Sequence, residues 1–382
     1  MRAARNAVAL AFATNGFLFA SLVSRIPDLR EGLDLDNGAL GLLLLAIAAG
    51  SVLALPTAGL LIHHSSASLV VRGGALCSAS GLLLGGLGAG PAGSVPLCAV
   101  GLFFYGIGTG VWDVAMNVEG TEVERELGRS ILPRFHAAWS LGSITGAAVG
   151  VPMAAVQAPL PLHLGVLGAL VLVVVERSTR SFLPVQEQAP ARSSGTAWLE
   201  PRTLALGLLV LTFTVAEGSA NDWLSLALID GYDVAHWVGV VGYAVFVVAM
   251  TVGRVSGPVL LDRFGRPPVL WASAGAAAAG ILLVVFGGHP VVVGLGILVW
   301  GSGAALGFPV GISAAADDPA RSAARVSVVS TIGYGAFLAG PPLLGWLGDR
   351  VGTLDALLAV AVLMVPAALT VMAARPRRSH SE

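Results

Sequence analysis

The chain has 382 residues, of which 55% are hydrophobic and 11% are charged. Soluble domains carry about a quarter of their residues as charged side chains, so this composition excludes an ordinary soluble protein and indicates an integral membrane protein. The formal net charge of −1 gives no electrostatic reason to expect a nucleic-acid partner. Cys77 and Cys98 both lie in apolar runs and predict buried thiols, so we expect no disulfide, metal site or cofactor.

Apolar runs follow one another along the whole chain. Each is close to the ~20 residues with which a helix crosses a ~30 Å hydrocarbon core. The first run continues to Ile26 past a conceivable signal-peptide cleavage site, so we predict a membrane helix there. The sequence predicts an all-α protein with twelve spans, over residues 7–26, 39–62, 69–87, 95–116, 135–156, 160–175, 204–226, 237–261, 269–286, 291–314, 326–347 and 354–372.

One long interior connection divides these spans into two sets of six. It is rich in proline and serine and predicts a flexible linker. The expected domains are an N-terminal bundle over 1–176, a linker over 177–203, a C-terminal bundle over 204–374 and a tail over 375–382. Most arginines then fall on the side of both termini, which the positive-inside rule makes cytoplasmic. The exceptions are Arg25, Arg30 and Arg350 outside and Arg254 within a span.

A charged turn, Asp262-Arg263-Phe264-Gly265-Arg266, separates the eighth and ninth spans. It resembles the signature loop of the major facilitator superfamily (MFS), although Gly257 stands one position away from the place of the family's glycine. The resemblance implies two pseudo-symmetric six-helix bundles, with the first, fourth, seventh and tenth helices lining a central cavity.

The two halves repeat each other weakly, as that architecture requires. An offset of about 195 to 202 residues pairs Asn15 with Glu217 and Gly150 with Gly345. Under this pairing His64-Ser65 stands where the second half has Asp262-Arg263. The first copy of the signature is therefore eroded, and its gating contact is in doubt.

The seventh span contains ionisable residues where an isolated charge costs roughly 2.5 to 3.5 kcal/mol. Desolvation disfavours the ionised form of Glu217, so we predict that Glu217 takes up and releases the coupling proton. The alternative is a hydrogen-bonded structural glutamate. Asn221 and Asp222 follow it, and Asp222-Trp223 is expected near the outer interface, where tryptophan is common.

The fourth span ends with Asp113 and Asn117, which lie one helical turn apart on one face. Together with Arg129 and His136, this segment resembles a bacterial MFS branch that includes sugar permeases such as fucose permease. We predict a cytoplasmic gate or proton relay of Asp113, Arg129 or Arg134, and His136. The alternatives are a solvated helix end and a histidine that only caps a helix.

Several further residues are assigned to packing or to the cavity. Arg254 is expected to form a structural ion pair with a neighbouring helix. Gly142, Gly146 and Gly150 recur every four residues and predict close helix packing, and Pro309 predicts a bend in the tenth helix. The expected cavity residues are Asn15, Asn117, Asn221, Asp222, Trp112, Trp300 and Phe308, although packing or lipid contact is the alternative for each aromatic.

These features predict a secondary active transporter of the bacterial cytoplasmic membrane, proton-coupled and with a sugar-like solute. A multidrug or metabolite exporter is the alternative, and a non-transporting receptor is a further one. No nucleophile with a base and no His-Glu-x-x-His motif lies in the spans, so we do not expect an enzyme. The expected partners are the solute, protons and the lipid bilayer, and we expect a monomer.

Overall fold

The computed structural model describes residues 1–127, 131–183, 195–317 and 321–375. These residues are helical and contain no β-strand. The α-helices are α1 Arg2–Val23, α2 Ile26–Gly32, α3 Asn37–His64, α4 Ala67–Ala89, α5 Val95–Leu127, α6 Leu132–Ala155, α7 Leu160–Ser178, α8 Pro201–Ser219, α9 Ser225–Tyr232, α10 His236–Phe264, α11 Arg266–Phe286, α12 Pro290–Ala304, α13 Gly307–Ala315, α14 Ser322–Val351 and α15 Thr353–Thr370. Short 3₁₀ segments cover Thr179–Ser181, Gly195–Leu199 and Val371–Ala374, and a π-helical segment covers Ala220–Leu224.

Twelve of the described segments are long and apolar enough to span a membrane, which confirms the all-α prediction with twelve spans. Two spans are interrupted. The seventh runs from α8 through the π-helical segment into α9, and the tenth consists of α12 and α13. The tenth breaks at Ala305-Leu306, four residues before Pro309, because a proline gives no N–H to the carbonyl one turn earlier.

The chain divides into two compact units. The first unit comprises residues 1–188 and 233–244, and the second comprises residues 189–232 and 245–382. The predicted bundles differ from these units in one respect, since the first turns of α10 belong to the first unit. Residues 184–194 of the predicted linker and 376–382 of the predicted tail lie outside the described residues.

In the first unit, α6 packs against α1 through the glycines spaced by four residues. A Cβ atom on Gly142 would lie 1.9 Å from the Ala13 carbonyl oxygen, and one on Gly146 would lie 2.4 Å from that of Phe17. The two backbones therefore touch, as small residues permit in membrane helices.

In the second unit, α8 packs against α14 and α15, and α11 packs against α12. A Cβ atom on Gly280 would lie 2.3 Å from the Trp300 backbone nitrogen, so α11 and α12 approach as closely as α1 and α6 do.

The α8–α14 contact is tight near Gly207, where a Cβ atom would lie 2.4 Å from the Ile332 side chain. It is looser further along α14, because a Cβ atom on Gly335 would meet only the Leu211 side chain at 4.0 Å, and one on Gly340 would meet no atom within 4 Å.

Candidate functional site

Glu217 forms an ion pair with Arg254 inside the second unit. One terminal guanidinium nitrogen of Arg254 donates to both carboxylate oxygens at 2.9 Å. The Nε atom of Arg254 lies 3.5 Å from the carbonyl oxygen of Ala305, the group that Pro309 leaves without an N–H donor. The side chain of Glu217 is 16% exposed and that of Arg254 is 28% exposed. Arg254 therefore joins α10 to the interrupted seventh and tenth spans through partly buried contacts.

This pairing changes the interpretation of Glu217. Both carboxylate oxygens of Glu217 accept from the Arg254 guanidinium, so Glu217 fixes the position of Arg254 in this structure. The role of Glu217 as the proton carrier stays a prediction. The sequence had also predicted an ion pair for Arg254, and the structure joins the two residues that had been considered separately.

Asp222 lies in the π-helical segment, five residues after Glu217. The helix continues past Asp222 and Trp223 through α9 to Tyr232, and Trp223 is 1% exposed, so its indole ring packs inside the protein. Their expected place near the outer interface stays a prediction. Asn221 is also buried. Asp222 lines a small cavity between α8 and α14 and has no hydrogen bond or ion pair to any described residue.

A row of aromatic rings lies on α13 and α14 beside this cavity. The Phe308 and Tyr334 ring centroids are 6.4 Å apart, and those of Tyr334 and Phe337 are 6.2 Å apart. Phe337 lines the cavity. Phe308, which the sequence assigned to the cavity, is half-buried and forms one end of this row of tilted rings.

In the first unit, Asp113 lies farther from its helix end than expected. The helix α5 continues to Leu127 because the polar stretch after Met116 contains good helix formers. The Nδ2 atom of Asn117 donates to the Asp113 backbone carbonyl at 2.8 Å and approaches its carboxylate at 3.4 Å. Among the described residues, Asp113 has no other side-chain partner.

The predicted relay of Asp113, Arg129 or Arg134, and His136 stays a prediction. His136 is exposed on α6, and its ring meets Phe12 edge-on with centroids 5.1 Å apart. Arg129 lies outside the described residues.

Three predicted cavity residues serve packing in this structure. The Trp139 indole N–H donates to the Asn15 side-chain oxygen at 3.0 Å, which fixes this buried amide between α1 and α6. Trp112 and Trp300 are fully buried. They pack against glycines of the neighbouring helix, Trp112 against Gly74 and Trp300 against Gly280, so neither indole ring presents an accessible surface to a solute.

The signature turn is shorter than expected. Asp262 and Arg263 still belong to α10 and Arg266 begins α11, so only Gly265 is non-helical, with a φ of 77° that favours glycine. Gly257 packs against Leu306. Asp262 is exposed and bonds to no described residue.

Arg266 is the member of the signature that makes a close ionic contact. It donates to Asp317 at 2.7 Å, and Asp317 also accepts from Arg202 at 2.9 Å. A second acidic group lies at the start of α8, where hydrogen bonds from Arg325, with those of Thr203 and Arg321, lower the pKa of Glu200 to about 2. These contacts tie the ends of α8, α11, α13 and α14 together.

A buried polar cluster in the first unit was missed by the sequence reasoning. The guanidinium of Arg25, 1% exposed, donates to Asp28 at 2.9 Å and to the Ala158 carbonyl at 2.6 Å, and lies 3.1 Å from His163 Nδ1. The sequence placed Arg25 in an outer loop. A histidine within the apolar run of α7 was the available signal, because a buried polar ring requires a partner.

The fold and these contacts define a polytopic membrane protein with ionisable side chains held inside its spans. The sequence profile of the Major Facilitator Superfamily matches residues 8–341, and the chain belongs to this superfamily. The uncharacterized transporter y4wD of Sinorhizobium fredii is 31% identical over 348 residues, which cover 90% of each chain. Members are transporters and not enzymes, so this chain is a membrane transporter.

Two solved structures share the fold. The nucleoside transporter NupG superimposes with a TM-score of 0.82 at 15% identity, over 97% of this chain and 99% of that chain. The Escherichia coli fucose:proton symporter FucP superimposes with a TM-score of 0.65 at 17% identity, over 96% and 98%. These likenesses confirm the MFS prediction at the level of fold.

Proposed function

We propose that the protein moves a small hydroxylated solute across the membrane by alternating access of its two halves, driven by the proton gradient. The observation that carries this proposal is the pair of carboxyl groups on the seventh span. Glu217 is neutralised by Arg254 at 2.9 Å, and Asp222 has no polar partner among the described residues. Buried carboxyl groups in membrane spans recur in proton pathways, because keeping them there is costly.

Two observations support the proposed solute class: the aromatic faces beside the cavity, and the functions of two proteins that share the fold. The rings of Phe308, Tyr334 and Phe337 form a continuous row, and aromatic faces suit the apolar face of a sugar ring. NupG is a nucleoside transporter and FucP a fucose symporter. Both kinds of solute carry a hydroxylated sugar ring, which is the class we propose here.

The proposed setting is the bacterial cytoplasmic membrane, with both termini on the cytoplasmic side and a monomer as the working unit. Arginine distribution supports this orientation, since the loops on the side of the termini hold most of the basic residues. The Arg202, Arg266 and Asp317 contacts then lie at the cytoplasmic end of the second unit. We assign them to closing that end of the transporter.

A ligand screen tests the solute class. A compound that binds only the folded protein raises its unfolding temperature by mass action. We expect sugars or nucleosides to stabilise the purified protein, more strongly in acidic than in neutral buffer. Sugar acids, amino acids and lipophilic cations complete the panel.

The same panel separates the proposed permease from an exporter. Selective stabilisation by lipophilic cations, with no effect of any hydroxylated ring, would contradict the proposal and favour a drug exporter. An enantiomer of each stabilising sugar provides the matched control, since a specific site distinguishes the two.

A further inference from the structure

The second unit differs from the first at one pseudo-symmetric place. In the first unit a Cβ atom on Gly146 would lie 2.4 Å from the Phe17 carbonyl and 3.2 Å from the Cβ of Ala20. The offset between Gly150 and Gly345 puts Pro341 in the place of Gly146, and the offset between Asn15 and Glu217 puts Asp222 in the place of Ala20. Where α1 and α6 touch, α8 and α14 enclose a cavity.

The cavity surrounds Asp222 with groups that cannot neutralise a carboxylate. Asp222 is the ionisable member of the set, and Ser219, whose hydroxyl already donates to the Val215 carbonyl at 2.6 Å, is the other polar side chain. A carboxylate without a partner in such surroundings is costly, whereas a neutral acid needs only a hydrogen-bond acceptor. The lining residues are Val215, Gly218, Ser219, Asp222, Ala336, Phe337, Gly340, Pro341 and Leu344.

The charged groups on the elements around Asp222 either bind another residue or do not line the cavity. Arg254 of α10 binds Glu217 at 2.9 Å, and Asp230 of α9 accepts from the Thr353 hydroxyl at 2.8 Å. The helices α12 and α13 contain no ionisable side chain. The remaining ionisable groups on the helices packed against α8 are Arg325, Tyr334, Asp349 and Arg350 on α14 and Asp355 on α15.

An acceptor for a neutral acid is present on the same helix face. Pro341 has no N–H, so the Phe337 carbonyl, one turn earlier, has no donor at the usual position. The same unit already uses such a group, because Arg254 reaches the Ala305 carbonyl freed by Pro309. Phe337 and Pro341 both line the cavity.

We propose that Asp222 is a proton-binding site whose neutral acid donates a hydrogen bond to the Phe337 carbonyl and closes α8 against α14. The step transfers one proton from a hydronium ion to the carboxylate. The O–H bond of the acid forms, one O–H bond of the hydronium ion breaks, and a water molecule is released. Loss of that proton removes the donor and opens the contact to water. Proton binding at Asp222 does not require the proposed transport function. Only the role of this site in coupling rests on that function.

Infrared difference spectroscopy of the full chain tests the site without a solute. We expect the carbonyl stretching band of a protonated carboxylic acid in mildly acidic buffer, loss of the Asp222 contribution to that band in Asp222→Asn, and no change in Asp355→Asn, which alters an exposed carboxylate. Pro341→Ala restores an N–H to the Phe337 carbonyl and should shift the band to higher frequency. If Asp222→Asn fails to fold, Asp222→Glu must shift the band instead.

A spectrum that Asp222→Asn leaves unchanged, or a band that Pro341→Ala and Asp222→Glu leave unmoved, would overturn the proposal. No solute enters this measurement. A missing Asp222 band therefore refutes the proton site, whereas an unresponsive ligand panel refutes the proposed solute class.

Discussion

Arg254→Met is expected to destabilise the second unit by about 3 kcal/mol, the low end of the effect of removing one partner from a buried ion pair, and to abolish transport. The substitution leaves the Glu217 carboxylate without its partner, and methionine cannot reach the Ala305 carbonyl as a donor. The side chains are partly exposed, which sets the estimate at the low end. The unfolding temperature of the purified protein measures the change.

A double variant distinguishes an ion pair from mere packing. In Glu217→Gln with Arg254→Met neither side chain is charged, so we expect most of the lost stability to return, because neighbouring residues couple. Arg263→Met is the matched control, since Arg263 lies exposed on the same helix and, among the described residues, contacts only the Phe264 ring. Equal losses in Arg254→Met and Arg263→Met would contradict the account.

Gly142→Val is expected to prevent the first unit from packing. A Cβ atom at this position would lie 1.9 Å from the Ala13 carbonyl oxygen, which is backbone and cannot rotate away. Overpacking costs about 1–3 kcal/mol where side chains can adjust, and we expect at least the upper value because two helix backbones must separate. The measurement is the monodisperse fraction on size-exclusion chromatography.

Gly59→Val provides the control for this substitution. Gly59 lies in a helix of the same unit, and no atom lies within 4 Å of the position of its Cβ. Its expected effect is small, since valine and glycine both have modest helix propensities. A Gly142→Val protein that elutes and unfolds like Gly59→Val would refute the close α1–α6 contact.

Hydropathy was sufficient to predict the spans, because a membrane helix must be long and apolar regardless of its neighbours. It could not predict which side chains face each other. Glu217 and Arg254 lie 37 positions apart, and the rotation of each helix is poorly specified when most of its faces are apolar. Their pairing required the three-dimensional structure.

The sequence pattern also could not predict where the helix geometry departs from a regular α-helix. The π-helical segment at Ala220–Leu224 carries no proline, yet it sets the direction of Asp222. Such segments are frequent at functional sites. Pro309 was different, since its missing N–H predicted the interruption of the tenth span that the structure contains.

The end of α5 illustrates a third limit. The apolar run stops near Met116, and the predicted span stopped with it, whereas the helix continues to Leu127. Helix propensity, not hydropathy, determines where a helix ends outside the hydrocarbon region. Asp113 consequently lies well inside a continuous helix, where its carboxylate meets Asn117.

Proton movement coupled to solute entry tests the central claim most directly. Purified protein is reconstituted into liposomes that contain a pH-sensitive dye, and sugars or nucleosides are added outside without an imposed ion gradient. We predict acidification of the interior with the stabilising solute, and none with its enantiomer or with Arg254→Met. Solute entry without any change in internal pH would contradict proton-coupled transport.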